Sequence, residues 1–217
     1  MSEKKVVTID GPAGAGKSTI AKIAASRLGF TYIDTGAMYR AVTYKTLKSG
    51  CDFSDTKKII QLADESDISL DDGKIFLDGK DVSDKIRTRR VTNKTSIIAA
   101  LGDVRKILRE KQRRFAKTQN LVMEGRDIGS VVFPSAKYKF YLDASITERA
   151  RRRYSELKEK GDKVKLEDIV KDINKRDNLD LNRGLCPLII PKGAVVIDST
   201  SKSIEEVAEI IVTYAGK

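Results

Sequence analysis

Eight residues near the amino terminus, Gly11-Pro12-Ala13-Gly14-Ala15-Gly16-Lys17-Ser18, satisfy the spacing G-x-x-x-x-G-K-[ST]. Glycines at these places let backbone N–H groups curl around phosphate oxygens. A helix starting at the end of the run adds the positive end of its dipole. Lys17 would reach the outer phosphates of a nucleoside triphosphate, Ser18 would ligate Mg2+, and Thr19 closes the expected binding run. Composition alone yields such a match in roughly one or two chains per hundred of this length. Here a β-branched run precedes it and an apolar helical pattern follows, which is the context a phosphate loop requires. The run alone does not say whether the triphosphate drives a shape change, does work or gives up its end phosphate.

Other charged residues bear on that choice. Asp34-Thr35-Gly36 and Tyr39-Arg40 follow a second strand-like run, and Gly125-Arg126-Asp127 follows a third. In open α/β sheets ligands bind beyond the carboxyl ends of the strands. Thr35, Arg40, Arg126 and Asp127 are therefore expected to face the cleft of the phosphate loop. In "LEDIVKDINKRDNLDLNR", Leu166, Ile169, Val170 and Ile173 make an inward helical stripe whose continuation is Arg176, Asp180 and Arg183. An inward face that turns charged is one that leaves a core and lines a ligand cleft; the plainer reading is an i,i+4 ion pair of Arg176 with Asp180, worth ~0.3–0.5 kcal/mol. Arg149, Arg152 and Arg153 fall on one face of the next helix upstream. They read either as a solvated surface or as a lid that brings arginines to phosphates.

Several arginines apart from the loop lysine imply a second anion beside the triphosphate, and so transfer to a phosphorylated acceptor. The attacking oxygen of such an acceptor is already anionic. No general base is then needed, which agrees with a sequence that contains no histidine. Lys17, Arg126, Arg183 and Arg153 are the groups expected to neutralise charge during transfer, by positioning and electrostatics. A GTPase would need N-K-x-D, and Asn93-Lys94-Thr95-Ser96 lacks the final Asp; D-x-x-G is absent. "YKFYLD", ending at Asp143, is a partial Walker B strand, but the chain is short for a translocating ATPase.

The elements that must hold these residues follow from periodicity. Residues 4–9, 30–33, 121–124, 138–142 and 194–198 read as five short strands, each stopping at a turn or an acidic residue. Helical patterns separate them, as in a doubly wound parallel α/β sheet with helices on both faces. Ile20, Ile23, Ala24 and Leu28 give the first helix one apolar face, and Ile204, Val207, Ala208 and Ile211 do so for a last helix over 203–214. The stretch 35–120 is too long for one crossover. "DISLDDGKIFLDGKDV" within it alternates as a small antiparallel hairpin, so an inserted subdomain is expected.

The chain has 217 residues, with 42 Lys and Arg against 31 Asp and Glu, a net charge of +11. That surplus attracts polyanions. The arginines are not interleaved with aromatic residues as in a nucleic-acid groove, so small phosphorylated ligands are the expected partners, with no nucleic acid. No run approaches the ~20 apolar residues of a membrane helix, and the first residues lack the pattern of a signal peptide. No membrane partner and a cytoplasmic location are expected. Cys51 and Cys186 are too few for a disulfide framework or a zinc site.

Taken together, "IDGPAGAGKST", "DTGAMYR", "IRT", "GRDIGSVVFP", "FYLDAS" and "RDNLDLNRGLCPL" make the chain resemble the bacterial cytidylate kinases, nucleoside monophosphate kinases, over nearly its whole length. The resemblance implies a five-stranded parallel core, an enlarged monophosphate-binding insert and a mobile lid. The expected boundaries within a single kinase domain 1–217 are core 1–35, 116–148 and 191–217, insert about 36–115, and lid with its flanking helices about 149–190. It implies that Ser96, Arg105 and Asp127 read the cytosine edge, that Arg40, Arg126 and Arg183 grip the acceptor phosphate, and that Arg176 and Asp180 attend the ribose. Thr35 keeps the hydroxyl that some relatives supply with Ser. The implied donor is ATP with Mg2+ and the implied acceptors are CMP and dCMP, in a monomeric enzyme; UMP, AMP or another small phosphorylated acceptor is the alternative.

Overall fold

The computed structural model describes residues 4–71, 73–159 and 161–216. In chain order its elements are β1 (Val6–Asp10), α1 (Lys17–Leu28), β2 (Thr31–Asp34), α2 (Thr35–Lys48), α3 (Thr56–Asp64), β3 (Ile68–Asp71), β4 (Lys74–Leu77), β5 (Lys80–Asp81), α4 (Arg89–Ala100), α5 (Gly102–Phe115), β6 (Leu121–Gly125), β7 (Tyr138–Asp143), α6 (Ile146–Glu159), α7 (Leu166–Leu181), β8 (Val195–Asp198) and α8 (Ile204–Ala215). The five expected strands form one sheet in the order β2-β6-β1-β7-β8. β1 runs parallel to both β6 and β7, and β7 parallel to β8. The first strand is thus central. Its residues Val7 and Ile9 are fully buried, as the two covered faces of a parallel sheet require.

The chain divides into two compact units, Met1–Tyr32 with Gln119–Lys217, and Ile33–Thr118. In the first, α1 and α8 cover the sheet. Ile20, Ala21, Ala24 and Ala25 from α1 meet Val207, Ile211 and Ala215 from α8 and Phe140 and Leu142 from β7. The alanines of α1 leave room for the two helices to approach, and each large side chain buried here contributes roughly 1.5–3 kcal/mol. Ser203 and Glu206 form a reciprocal capping box at the start of α8, which fixes where that helix begins. Two expectations for the inward stripes change. Ile23 is only half-buried, and Ile204, at the first position of α8, is 50% exposed.

α6 and α7 share a smaller core of Ala150, Ile169 and Ile173, flanked by Tyr154, Leu157, Val164 and Val170. Leu166 is exposed, and the buried face of α7 continues through Asp177 and Asp180, while Arg176 is exposed. The stripe from Ile169 therefore runs i, i+4, i+8, i+11 rather than through Arg176.

The second unit has its own core, in which Met38, Val42, Ile59, Ile86, Ile98 and Leu108 are fully buried. The expected hairpin is a three-stranded antiparallel sheet, β3-β4-β5. β5 was missed because at two residues it is too short to show alternation. No helix among the described residues is long and apolar enough to cross a membrane.

Candidate active site

The phosphate loop joins β1 to α1. Gly11, Gly14 and Gly16 all have positive φ, at 148°, 79° and 87°, a region that side chains with a Cβ rarely adopt. Space demands glycine as well. A Cβ on Gly11 would sit 2.0 Å from the backbone oxygen of Leu142, and one on Gly14 3.1–3.2 Å from Cβ and the carbonyl oxygen of Arg149.

Lys17 opens α1 and is buried. Its ammonium donates to the Pro12 carbonyl at 2.7 Å, inside the loop it belongs to. Burial, then the positive charge of Arg126, pushes it down to about 7, against the pull of Glu124. Glu124 is buried near the end of β6 and accepts from the Tyr32 hydroxyl at 2.8 Å. Sequence reasoning sought a Walker B acid at Asp143. That carboxylate instead accepts from the next amide, Ala144, at 2.8 Å. Glu124, on a strand beside β1, was passed over because it was read only as a strand end.

Arg126 follows β6. Its Nε donates to Asp180 Oδ2 at 2.9 Å, and the other oxygen of Asp180 accepts from Arg183. One buried carboxylate thus holds two guanidiniums from different segments side by side. Burial alone would raise Asp180, but Arg126, Arg183 and Arg176 together hold it below its ordinary value. To the i,i+4 neighbour Arg176 weighed from the sequence, whose charge also acts on Asp180, the structure adds this longer-range partner. Asp127, buried next to Arg126, begins a π-helical turn over Ile128–Val132. Asp10, the last residue of β1, accepts from the amides of Ile128 and Gly129, each at 2.7 Å. Burial pushes Asp10 up to about 6, although these two hydrogen bonds pull it down. An acid just before a glycine turn reads in sequence as a turn residue, so Asp10 escaped notice.

The arginines of α6 do not make an open face. Arg149 is buried and donates to Ala144 O at 2.9 Å, to Ala13 O at 3.0 Å and to Asp177 Oδ2 at 2.6 Å. Arg152 donates to Ser199 O at 2.6 Å and to Ala15 O at 3.5 Å. Arg153, one turn beyond Arg149, pairs with Glu156 at 2.6 Å on the surface. Arg149 and Arg152, rather than Arg153, touch the phosphate loop, and they do so through its carbonyls. Carbonyls engaged from outside leave the loop amides for an anion.

The other expected acceptor residues lie in the unit Ile33–Thr118. Thr35 is buried at the first position of α2, which Asp34 caps by accepting from Ala37 N at 2.9 Å. Arg40 donates to Thr92 Oγ1 at 2.7 Å. Arg105 is buried, lies over the Tyr39 ring at 5.6 Å and donates to Ala99 O at 3.1 Å near the carboxyl end of α4, where a cation meets the negative end of the helix dipole. Ser96 sits exposed on α4.

The arrangement offers cations and hydrogen-bond donors. Among the described residues no group of three or more acidic or cysteine side chains could hold a metal ion by itself. The donor set fits a hard cation that would arrive with phosphate oxygens and water, for which the exposed Ser18 hydroxyl would be the protein ligand.

The model of the cytidylate kinase family matches residues 7–217. The cytidylate kinase of Caldanaerobacter subterraneus subsp. tengcongensis is 55% identical over 203 residues, covering 94% of this chain and 91% of that protein. That of Clostridioides difficile is 50% identical over 208 residues, 96% of each chain. The solved shikimate kinase of Bacteroides thetaiotaomicron matches with a TM-score of 0.50 at 12% identity, covering 98% of this chain and 99% of that one; the likeness is one of fold.

Proposed function

The chain belongs to the cytidylate kinase family, and from that premise we propose that it transfers the γ-phosphoryl group of ATP to CMP, and to dCMP, giving ADP and the nucleoside diphosphate. The observation that carries this reading is the pair of guanidiniums, Arg126 and Arg183, fixed on the buried Asp180 carboxylate. They supply a second anion site besides Lys17, whose ammonium feels both Arg126 and Arg176.

The loop Gly11 to Thr19 would hold the triphosphate, with Lys17 kept protonated by the negative charge it meets. Mg2+ bound with ATP would neutralise charge on the phosphate oxygens, with Ser18 as its protein ligand. Arg126 and Arg183, joined by Arg40, would hold the acceptor phosphate in line. Asp180 accepts from both of these arginines, so we read it as the group that orients them, with Arg176 on the ribose side. No side chain need remove a proton, because the attacking oxygen is already anionic; catalysis is positioning plus charge neutralisation. Asp127 and Ser96 would accept from the exocyclic amine of cytosine, and Arg105 would meet the ring N3 and O2. The reading places the enzyme in the cytoplasm as a monomer, its positive surplus serving small phosphates.

UMP presents a carbonyl where cytosine presents the amine, which faces Asp127 with an acceptor and costs about 1–3 kcal/mol. The test is a coupled assay of ADP release with CMP, dCMP, UMP and AMP in turn. A roughly 5- to 150-fold lower kcat/KM for UMP than for CMP is expected. Equal rates for all four overturn the base-reading assignment, and no ADP with any of them overturns the kinase reading.

A further inference from the structure

Asp10 and Asp127 each stand one residue from a junction. Asp10 precedes Gly11, the start of the phosphate loop, and Asp127 precedes Ile128, the start of the π-helical turn. The parallel ladder between β1 and β6 ends with Asp10 opposite Gly125. Past that point a buried side chain joins the two segments: one oxygen of Asp10 accepts from Ile128 N and the other from Gly129 N, both at 2.7 Å. A carboxylate held on two consecutive amides fixes both the distance and the rotation of the peptide that carries them. The approach depends on the missing side chain of Gly129. A Cβ there would lie 2.8 Å from Thr8 Oγ1, 3.1 Å from Pro191 Cγ and 3.2 Å from Asp10 Oδ2.

We propose that Asp10 is a positioning residue for the transfer: it sets the Arg126–Asp127 segment against the phosphate loop, and so governs use of the acceptor rather than binding of the donor. The inference rests on reading ATP as donor and CMP as acceptor. Asn at this place keeps the size but offers only one acceptor atom, its amide nitrogen being a donor. One of the two buried N–H groups is then left facing another N–H.

The experiment compares the full chain with Asp10→Asn and Gly129→Ala. Initial rates are measured against CMP at saturating ATP, and ATP affinity by equilibrium titration without acceptor. The expected result for Asp10→Asn is a roughly 10- to 100-fold fall in kcat/KM for CMP, with ATP affinity kept within about threefold. Gly129→Ala, which pushes the same contact apart, should show the same split and serves alone if Asp10→Asn does not fold. Unchanged kcat/KM for CMP in a folded variant overturns the inference. So does an equal loss of ATP and CMP, which a merely structural role would produce. An unsubstituted chain that is idle with CMP but active with another monophosphate instead overturns the acceptor assignment, and the donor–acceptor split is then read with that monophosphate.

Discussion

Replacing Arg149 by Met should destabilise the protein far more than the loss of a surface charge would. Arg149 is 4% exposed. Its guanidinium is shared among Asp177 Oδ2, Ala13 O and Ala144 O. Among the described residues, the other oxygen of Asp177 is buried without a hydrogen-bond partner, and Arg149 alone gives the carboxylate a counter-charge within hydrogen-bond reach. Removing one member of a buried pair costs about 3–5 kcal/mol, because the remaining charge stays buried. At ~2–4 °C per kcal/mol for a chain of this size, the midpoint of thermal unfolding should fall by roughly 6–20 °C. The decisive arm is the double variant Arg149→Met with Asp177→Leu. It buries no charge, and should recover most of the loss, to within about 2 kcal/mol of the unsubstituted chain. Urea unfolding followed by circular dichroism gives the three free energies. A single variant within about 1 kcal/mol of the original, or a double variant no better than the single, refutes the argument that the orphaned carboxylate sets the cost.

Three further outcomes follow from the same geometry. Asp180→Asn should release Arg126 and Arg183 from their shared anchor and lower kcat/KM for the acceptor about tenfold or more, while the KM for ATP moves less than about threefold; steady-state kinetics with each substrate varied in turn checks this. Gly11→Ala should abolish ATP binding in an equilibrium titration, because its Cβ would lie 2.0 Å from the Leu142 carbonyl oxygen and neither backbone can yield without moving the end of β7. Asp10, whose neighbours in charge are Asp127 and Lys17, has its folded pKa raised from 3.8 to about 6. Its contribution to stability is therefore fully present below pH 3.8 and lost as pH rises through about 6. The unfolding free energy of the original chain minus that of Asp10→Asn should fall by roughly 3 kcal/mol over that window, and a difference flat with pH would contradict it.

The sheet was legible because each strand is a short apolar or β-branched run that stops at a turn or an acid, and α1 because its glycine loop and apolar spacing coincide. The triphosphate loop was legible for the same reason. Asp180 beside Arg183 was suggested by the charged continuation of α7, but its second partner, Arg126, lies 54 residues away, beyond the reach of periodicity. The α6 arginines show the limit most clearly. Spacing put Arg149 and Arg152 near one face but could not say that the face was buried, because that depends on Asp177, 28 residues on, and on the carbonyls of a loop 136 residues earlier. Asp10 was invisible for a related reason: its value lies in two backbone amides, and amides carry no sequence signal. Asp177 in place of Arg176 on the inner face reflects a helix whose last turn buries a charge to serve a partner rather than an apolar core.

The central place of β1 also shapes how the chain can be made. The strand is synthesised over a hundred residues ahead of its partner β6, with Val6 opposite Leu121. At ~5–20 residues per second, β1 waits roughly 6–20 s for that neighbour. During the wait the continuous stretch Ile33–Thr118, which has its own buried core, is synthesised whole and can fold first. Nascent chains should therefore carry a folded Ile33–Thr118 unit and, ahead of it, an unpaired apolar β1, a species that chaperones would recognise and that crowding would drive toward aggregation.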